Sequence, residues 1–201
     1  MSLILKESKR RFSILFVIVA VLLFSVGLYI SLLAVSPYLY LHQKAILGES
    51  TTFDTTAVAA KEDRLYIPRL NIDIAYKSGD ASVLNDAAWH RYAERGDPEK
   101  GGNFILAGHR FELAPTPLET HRKSPFFNID QIKEGDEIYV DYQSKRYAYS
   151  VKRHFTASPN QIEIEATSEE PKMTLYTCTL RGSSDGREVI EATPVSMQPA
   201  L

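Results

Sequence analysis

Cysteine is nearly absent from this chain: Cys178 is the only one in 201 residues, which excludes an intrachain disulfide. An excess of positive charge is absent too. The formal net charge is -2 and the pI is near 6.2, so nothing in the balance points to nucleic acid. There is no internal repeat and no long low-complexity tract. The most telling absence is local: between Phe12 and Val35 there is no charged residue at all.

That run, FSILFVIVAVLLFSVGLYISLLAV, is apolar all round, whereas a core helix needs a polar stripe. As a helix it is long enough to cross a hydrocarbon core of ~30 Å with some tilt. Lys6, Lys9, Arg10 and Arg11 precede it against a single Glu7. This bias predicts a cytoplasmic N-terminus (residues 1–11), an uncleaved signal anchor (12–35) and everything after it outside the membrane. The apolar run exceeds the ~7–15 residues usual for a cleaved signal peptide. Residues 36–63 read as an extracytoplasmic stalk, in which SPYLYLHQKAIL either prolongs the helix past Pro37 or lies at the interface. A single unpaired thiol in an exported domain is a liability unless it has a function.

From Arg64 on, short strand signals recur: RLYIPRL, NIDIAY, NFILAGH, EIYVDY, RYAYSV, MTLYTC and REVIEA. Gly, Asp, Ser and Lys connect them, with helical candidates only near residues 82–88 and 125–132. Seven or eight short strands predict an all-β barrel or sandwich. Residues 173–192 are the centre of interest. MTLYTC ends near Cys178, a polar loop LRGSSDG follows, and Arg187 opens REVIEA, so a hairpin brings a guanidinium near the sulfur.

A thiol nucleophile needs a neighbouring base or cation, because the thiolate is the reactive form. Of five histidines, His42 falls in the stalk, His90 after a short helical candidate, and His121 and His154 in charged, exposed-looking settings. His109 differs: it ends the buried-looking run NFILA just after Gly108, so a rigid strand aims it.

NFILAGHR, then MTLYTC, then an arginine nine positions after the cysteine, resembles the sortases, membrane-anchored cysteine transpeptidases of bacterial surfaces. The resemblance covers residues 64–194, within a catalytic domain taken as 64–197. It implies a closed sortase-type β-barrel of about eight strands with short helices, preceded by one transmembrane helix. It also implies that Cys178 attacks a Thr carbonyl in an LPxTG-like sorting signal. His109 would protonate the departing amine, Arg187 would hold the substrate backbone and developing oxyanion, and Thr177 would contact substrate. Partners implied are surface proteins carrying the signal and an amine acceptor such as a peptidoglycan precursor or pilin. The site would be a hydrolase-like thiol protease centre at the cell wall. No cofactor is required by such chemistry. Some sortases respond to calcium, and Glu94, Asp97 and Glu165 lie at suggestive places, though three oxygens make a thin calcium shell.

Arg181 competes with Arg187, being only three residues past the cysteine. The stalk lacks the Asp-Pro-aromatic lid of pilin-polymerising sortases. Two other readings remain: a catalytically silent sortase-like module that binds sorting signals, and an exported thiol sensor, which would have to pair between molecules.

Overall fold

The structure, a computed structural model, describes residues 2–46 and 59–195, with side chains described for 13–40 and 59–195. The middle of the expected stalk, residues 47–58, and the last residues of the expected domain, 196–197, lie outside the described residues, as do the side chains of His42 and the N-terminal basic cluster.

α1 runs from Ser2 to Ile46, so the chain after Val35 prolongs the helix straight through Pro37. A proline here removes the amide that would bond the Leu33 carbonyl. Ser36 repairs the gap, its hydroxyl donating to Leu33 O at 2.8 Å. Ser25 and Ser31 likewise donate back to Val21 O and Gly27 O, both at 2.9 Å. A helix with these three serine hydroxyls satisfied internally is suited to an environment without water. The span Ser13–Tyr40 is long and apolar enough to cross a membrane.

The remainder builds one sheet. β1 (Arg64–Ile67), β2 (Ile72–Ser78), β3 (Ala88–His90), β4 (Gly96–Asp97) and β5 (Gly101–Gly108) come first. They are followed by β6 (Glu137–Tyr142), β7 (Lys145–Ala157), β8 (Lys172–Thr179) and β9 (Gly182–Val195). The order is β3-β2-β1-β6-β7-β9-β8-β5-β4, and β3 also pairs with β5. That last pairing closes eight strands into a barrel, leaving the two-residue β4 as an outlier on β5. Closure removes the free edges that an open sheet would expose.

Alternation decides what faces inward. Phe104 and Leu106 of β5, Met173 and Leu175 of β8, and Ile190 and Ala192 of β9 point into the main core with Leu65, Ile67, Ile138 and Val140. The intervening residues Ile105, Ala107, Tyr176 and Val189 form a second cluster on the outer face, with Ala157 and Ile164. The connection 158–171 folds over this outer cluster.

Helix content differs in detail from expectation. Near residues 82–88 there is a 3-10 turn, Ala81–Asn85, and near 125–132 only another, Ile129–Gln131. The regular helix α2 is Pro117–Arg122, in a stretch that reads as a charged loop. Its start is an N-cap of capping-box sequence: Thr116 accepts from the Glu119 amide, its hydroxyl donates to the Glu119 carboxylate, and Pro117 fills the first turn. α2 packs on the end of α1, where Tyr40 stacks on His121 at 4.5 Å. A cleft of about 370 Å³ opens beside this contact, lined by Pro37, Asn71, His121 and Phe127. None of Cys178, His109 and Arg187 lines it.

Candidate active site

β8 lies between β5 and β9. In the antiparallel pair β8–β9, Cys178 stands directly opposite Arg187. In the parallel pair β5–β8, Gly108 stands beside Thr177. His109 follows Gly108 directly at the end of β5, as Cys178 follows Thr177 on β8. Parity puts all three on the outer face: Cys178 alternates with inward Thr177, Arg187 follows the parity of outer Val189, and His109 that of outer Ala107. The three residues singled out in the sequence therefore form a row across three neighbouring strands, at the end of the outer apolar cluster.

The hairpin between Cys178 and Arg187 is tighter than its polar sequence implies. Thr179 pairs with Gly182 across the turn Leu180–Arg181, and residues 183–186 bulge out of the ladder. Gly182 sits at φ +99°, a conformation that other residues resist. The bulge holds Arg187: its guanidinium donates to Ser183 O at 2.8 Å and to Gly186 O at 3.0 Å. Thr179 Oγ1 donates to the Asp185 carboxylate at 2.7 Å, bracing the same loop. Arg181, the rival, projects from the turn with 86% of its side chain exposed and only a loose 3.9 Å approach to Asp185.

His109 is held through its backbone and its neighbours. Its carbonyl accepts from Phe126 N at 3.2 Å. Gly108 is required because a Cβ there would lie 2.2 Å from Phe126 Cε2. Thr177 is 1% exposed, and its hydroxyl donates to Gly108 O at 2.7 Å. Thr177 thus faces the interior and ties the histidine strand to the cysteine strand. Arg110, which sequence reasoning passed over, is buried and donates to Phe127 O at 2.8 Å and to Asp130 at 2.7 Å. It anchors the segment leaving His109. The available signal was a charge immediately after a buried run.

A second missed group pins the 158–171 connection over the outer cluster. Arg91 Nη1 lies 3.0 Å from Glu165 Oε1 and donates to the Tyr176 hydroxyl, which itself donates to Glu165. Arg95 donates to Glu165 O, and Asn103 Nδ2 to Ala166 O at 2.8 Å. Burial and the adjoining carboxylate push the Tyr176 phenol up, so it stays a donor. These contacts bear on calcium. Glu165 is engaged by Arg91, and Asp97 accepts the amides of Glu99 and Lys100 with Lys100 Nζ at 3.3 Å. Among the described residues no group of three or more His, Cys, Asp or Glu side chains is arranged to hold a metal.

The other histidines have different settings. His90 is buried, approached by the Ser78 hydroxyl at 3.3 Å and Gly96 O at 3.2 Å. Desolvation pushes its imidazole below the ordinary value despite that carbonyl and nearby Asp97. His154 reads as exposed in the sequence but is partly covered and pairs with Glu188 at 2.9 Å.

The family model described as Sortase domain matches residues 65–195. The chain belongs to the sortase family. It is 30% identical over 153 residues to sortase SrtE1 of Streptomyces coelicolor, covering 67% of this chain and 40% of that one. It is 24% identical over 129 residues to sortase A of Bacillus anthracis, covering 63% and 56%. The sortase thus spans about half or less of the length of these curated relatives. Among solved structures, sortase A from Corynebacterium diphtheriae superposes with a TM-score of 0.59 at 24% identity, covering 72% of this chain and 65% of that one. The Clostridium perfringens sortase D5 transpeptidase gives 0.57 at 22%, covering 78% and 94%. At these identities the structural likeness concerns the barrel fold.

Proposed function

We propose that this sortase is a single-pass membrane enzyme, N-terminus cytoplasmic and barrel outside, that cleaves an LPxTG-like signal and joins the product to a surface amine. The observation that carries the reading is the row His109–Cys178–Arg187 on the outer face of adjacent strands. A binding module has no need to align a thiol, an imidazole and a guanidinium.

The Cys178 thiolate attacks the Thr carbonyl, forming a C–S bond. Arg187 stabilises the charge on the resulting oxyanion, with a planar fork that also fits the substrate backbone. The intermediate collapses as the Thr–Gly C–N bond breaks, and His109 supplies the proton that the departing Gly amine needs. An incoming amine then attacks the thioester, His109 takes its proton back, and the thiolate leaves. The loop carbonyls of Ser183 and Gly186 hold the Arg187 guanidinium beside the bulge, and Thr177 and Arg110 act as positioning residues for the histidine end. Substrate residues ahead of the Thr would lie along the outer cluster beneath connection 158–171. The acceptor belongs to the cell surface, a wall precursor or a pilin.

The test is turnover of a fluorogenic LPxTG-type peptide by the purified full chain with glycine or a diamine as acceptor. Cys178→Ala should abolish it and His109→Ala should remove nearly all of it. Arg187→Lys should be severely impaired while remaining open to alkylation at Cys178, and Arg181→Ala should stay active. Peptide binding without turnover across a panel of signals would replace this reading with the silent binding module.

A further inference from the structure

We propose that the segment following the catalytic histidine, residues 111–118, rests in the outer headgroup layer of the bilayer crossed by α1, so that the catalytic edge of the barrel faces the membrane. The inference rests on the reading of α1 as an anchor.

Three observations converge. The first is where protein cover on α1 begins. Every residue from Ser13 to Leu32 is exposed, and Leu33 is the first to be buried, followed by Ser36 and Pro37. From Phe12, the first residue after the basic cluster, to Leu32 the charge-free part of the helix is about 30 Å long at 1.5 Å per residue, the thickness of a hydrocarbon core. The barrel therefore starts where the bilayer ends. The second is a contact that reaches below that level: the Tyr29 hydroxyl donates to Pro115 O at 2.5 Å. Tyr29 lies about one turn before Leu33, so the helix reaches Pro115 with a side chain rooted in the bare zone.

The third is what the segment presents there. Phe111, Leu113 and Leu118 are 37%, 51% and 44% exposed, three large apolar side chains within one short connection. Exposed apolar residues scattered singly need no explanation. Gathered around a point tied to an apolar helix, they match the ~5–10 Å immersion of interfacial apolar groups. Aromatic rings complete the belt: Tyr38 meets Phe127 edge-on at 4.6 Å, and Phe111 lies 6.2 Å from the same ring. Glu112 and Glu119 are exposed beside the apolar trio, so the attraction is apolar and not a pull toward anionic lipid.

The occupant is thus the bilayer that already surrounds α1. Phe111 is two residues past His109, and Tyr38, Arg110 and Leu180 line one small cavity, so the reacting groups stand close to the helix end. A site fixed at short height above the bilayer is suited to a substrate or acceptor that is itself held in the membrane.

The experiment uses the full chain, one copy per phosphatidylcholine nanodisc, with tryptophan introduced by Leu113→Trp or, separately, Phe24→Trp. Both sites are exposed, so neither change threatens folding, and the emission of native Trp89 is subtracted using the parent protein. Lipids brominated high on the acyl chain should shift the L113W emission to the blue and remove about half of it, as expected for interfacial immersion. Lipids brominated near the chain ends should quench F24W. Quenching of F24W with L113W left at its solvent value overturns the docking and spares the anchor. A blue shift of L113W without lipid quenching puts protein, not lipid, against the segment and also overturns it. If F24W itself escapes quenching, the anchor reading fails and the docking falls with it.

Discussion

Gly108→Ala is the sharpest way to ask whether packing beneath the histidine sets catalysis. The added Cβ would lie 2.2 Å from Phe126 Cε2 and 2.5 Å from Cδ2. Carbon atoms rest at ~3.5–4.0 Å, so something must yield by more than about 1 Å. Phe126 is fully buried, and its amide is bonded to His109 O, so the ring cannot swing away freely. The strand end must lift instead, straining the Thr177–Gly108 bond as it goes. Overpacking costs ~1–3 kcal/mol and a lost hydrogen bond ~0.5–1.5, giving about 2–4 kcal/mol together. At ~3 °C per kcal/mol, Tm should fall by about 6–12 °C. The protein would stay folded at 25 °C, yet a histidine displaced by ~1 Å loses about 100-fold in kcat/KM. Peptide turnover and thermal melts by circular dichroism, run on the full chain in detergent, read both quantities. Adding Phe126→Leu, which opens space under position 108, should restore part of the activity. A Gly108→Ala protein that melts within about 1 °C of the parent and turns over normally would refute the argument, because the expected shift is several times larger.

Asp141 is fully buried, accepts from Arg146 at 2.7 and 2.8 Å, and also takes the Ala60 amide at 2.7 Å, tying the domain's entry to the barrel. Asp141→Asn should cost ~3–5 kcal/mol, read as a drop in denaturation midpoint. Glu165→Gln removes the ion pair with Arg91 and loosens the 158–171 connection. Losing about 1 kcal/mol of loop ordering should raise the peptide KM about 5-fold with kcat little changed. His90 carries a pH effect of definite sign: its folded imidazole lies below the ordinary value, so the unfolded chain binds the proton first as pH falls. Stability should be full above about pH 6.5 and decline below it toward the folded value. His90→Gln should flatten that acid-side loss in melts compared at about pH 7.5 and about pH 5.

How much of this was legible beforehand follows from the range of the forces involved. Period-2 alternation in NIDIAY and MTLYTC and the short apolar run NFILAGH are local properties, so strands and an all-β class follow from the residues alone. Lack of charge over residues 12–35 likewise suffices for an apolar helix. His109, Cys178 and Arg187 stood out by chemistry and by their places at strand ends. Their row across the sheet needed the pairing register, which joins positions about 70 residues apart and is written in no single stretch. Thr177 shows the limit most plainly. It adjoins the cysteine in sequence, yet the pleat turns it to the opposite face, where its hydroxyl bonds Gly108 O. Arg91 and Arg95 carry no local signal of a partner; the fold brings Glu165 to them from about 70 residues away. α2 was hidden because its N-cap is only six residues from a helix end, too short for periodicity to register. The sequence by itself thus determined which groups are candidates for chemistry and which segments are apolar. Only the tertiary structure decided which face each side chain meets, because strand register and barrel closure are set by long-range packing.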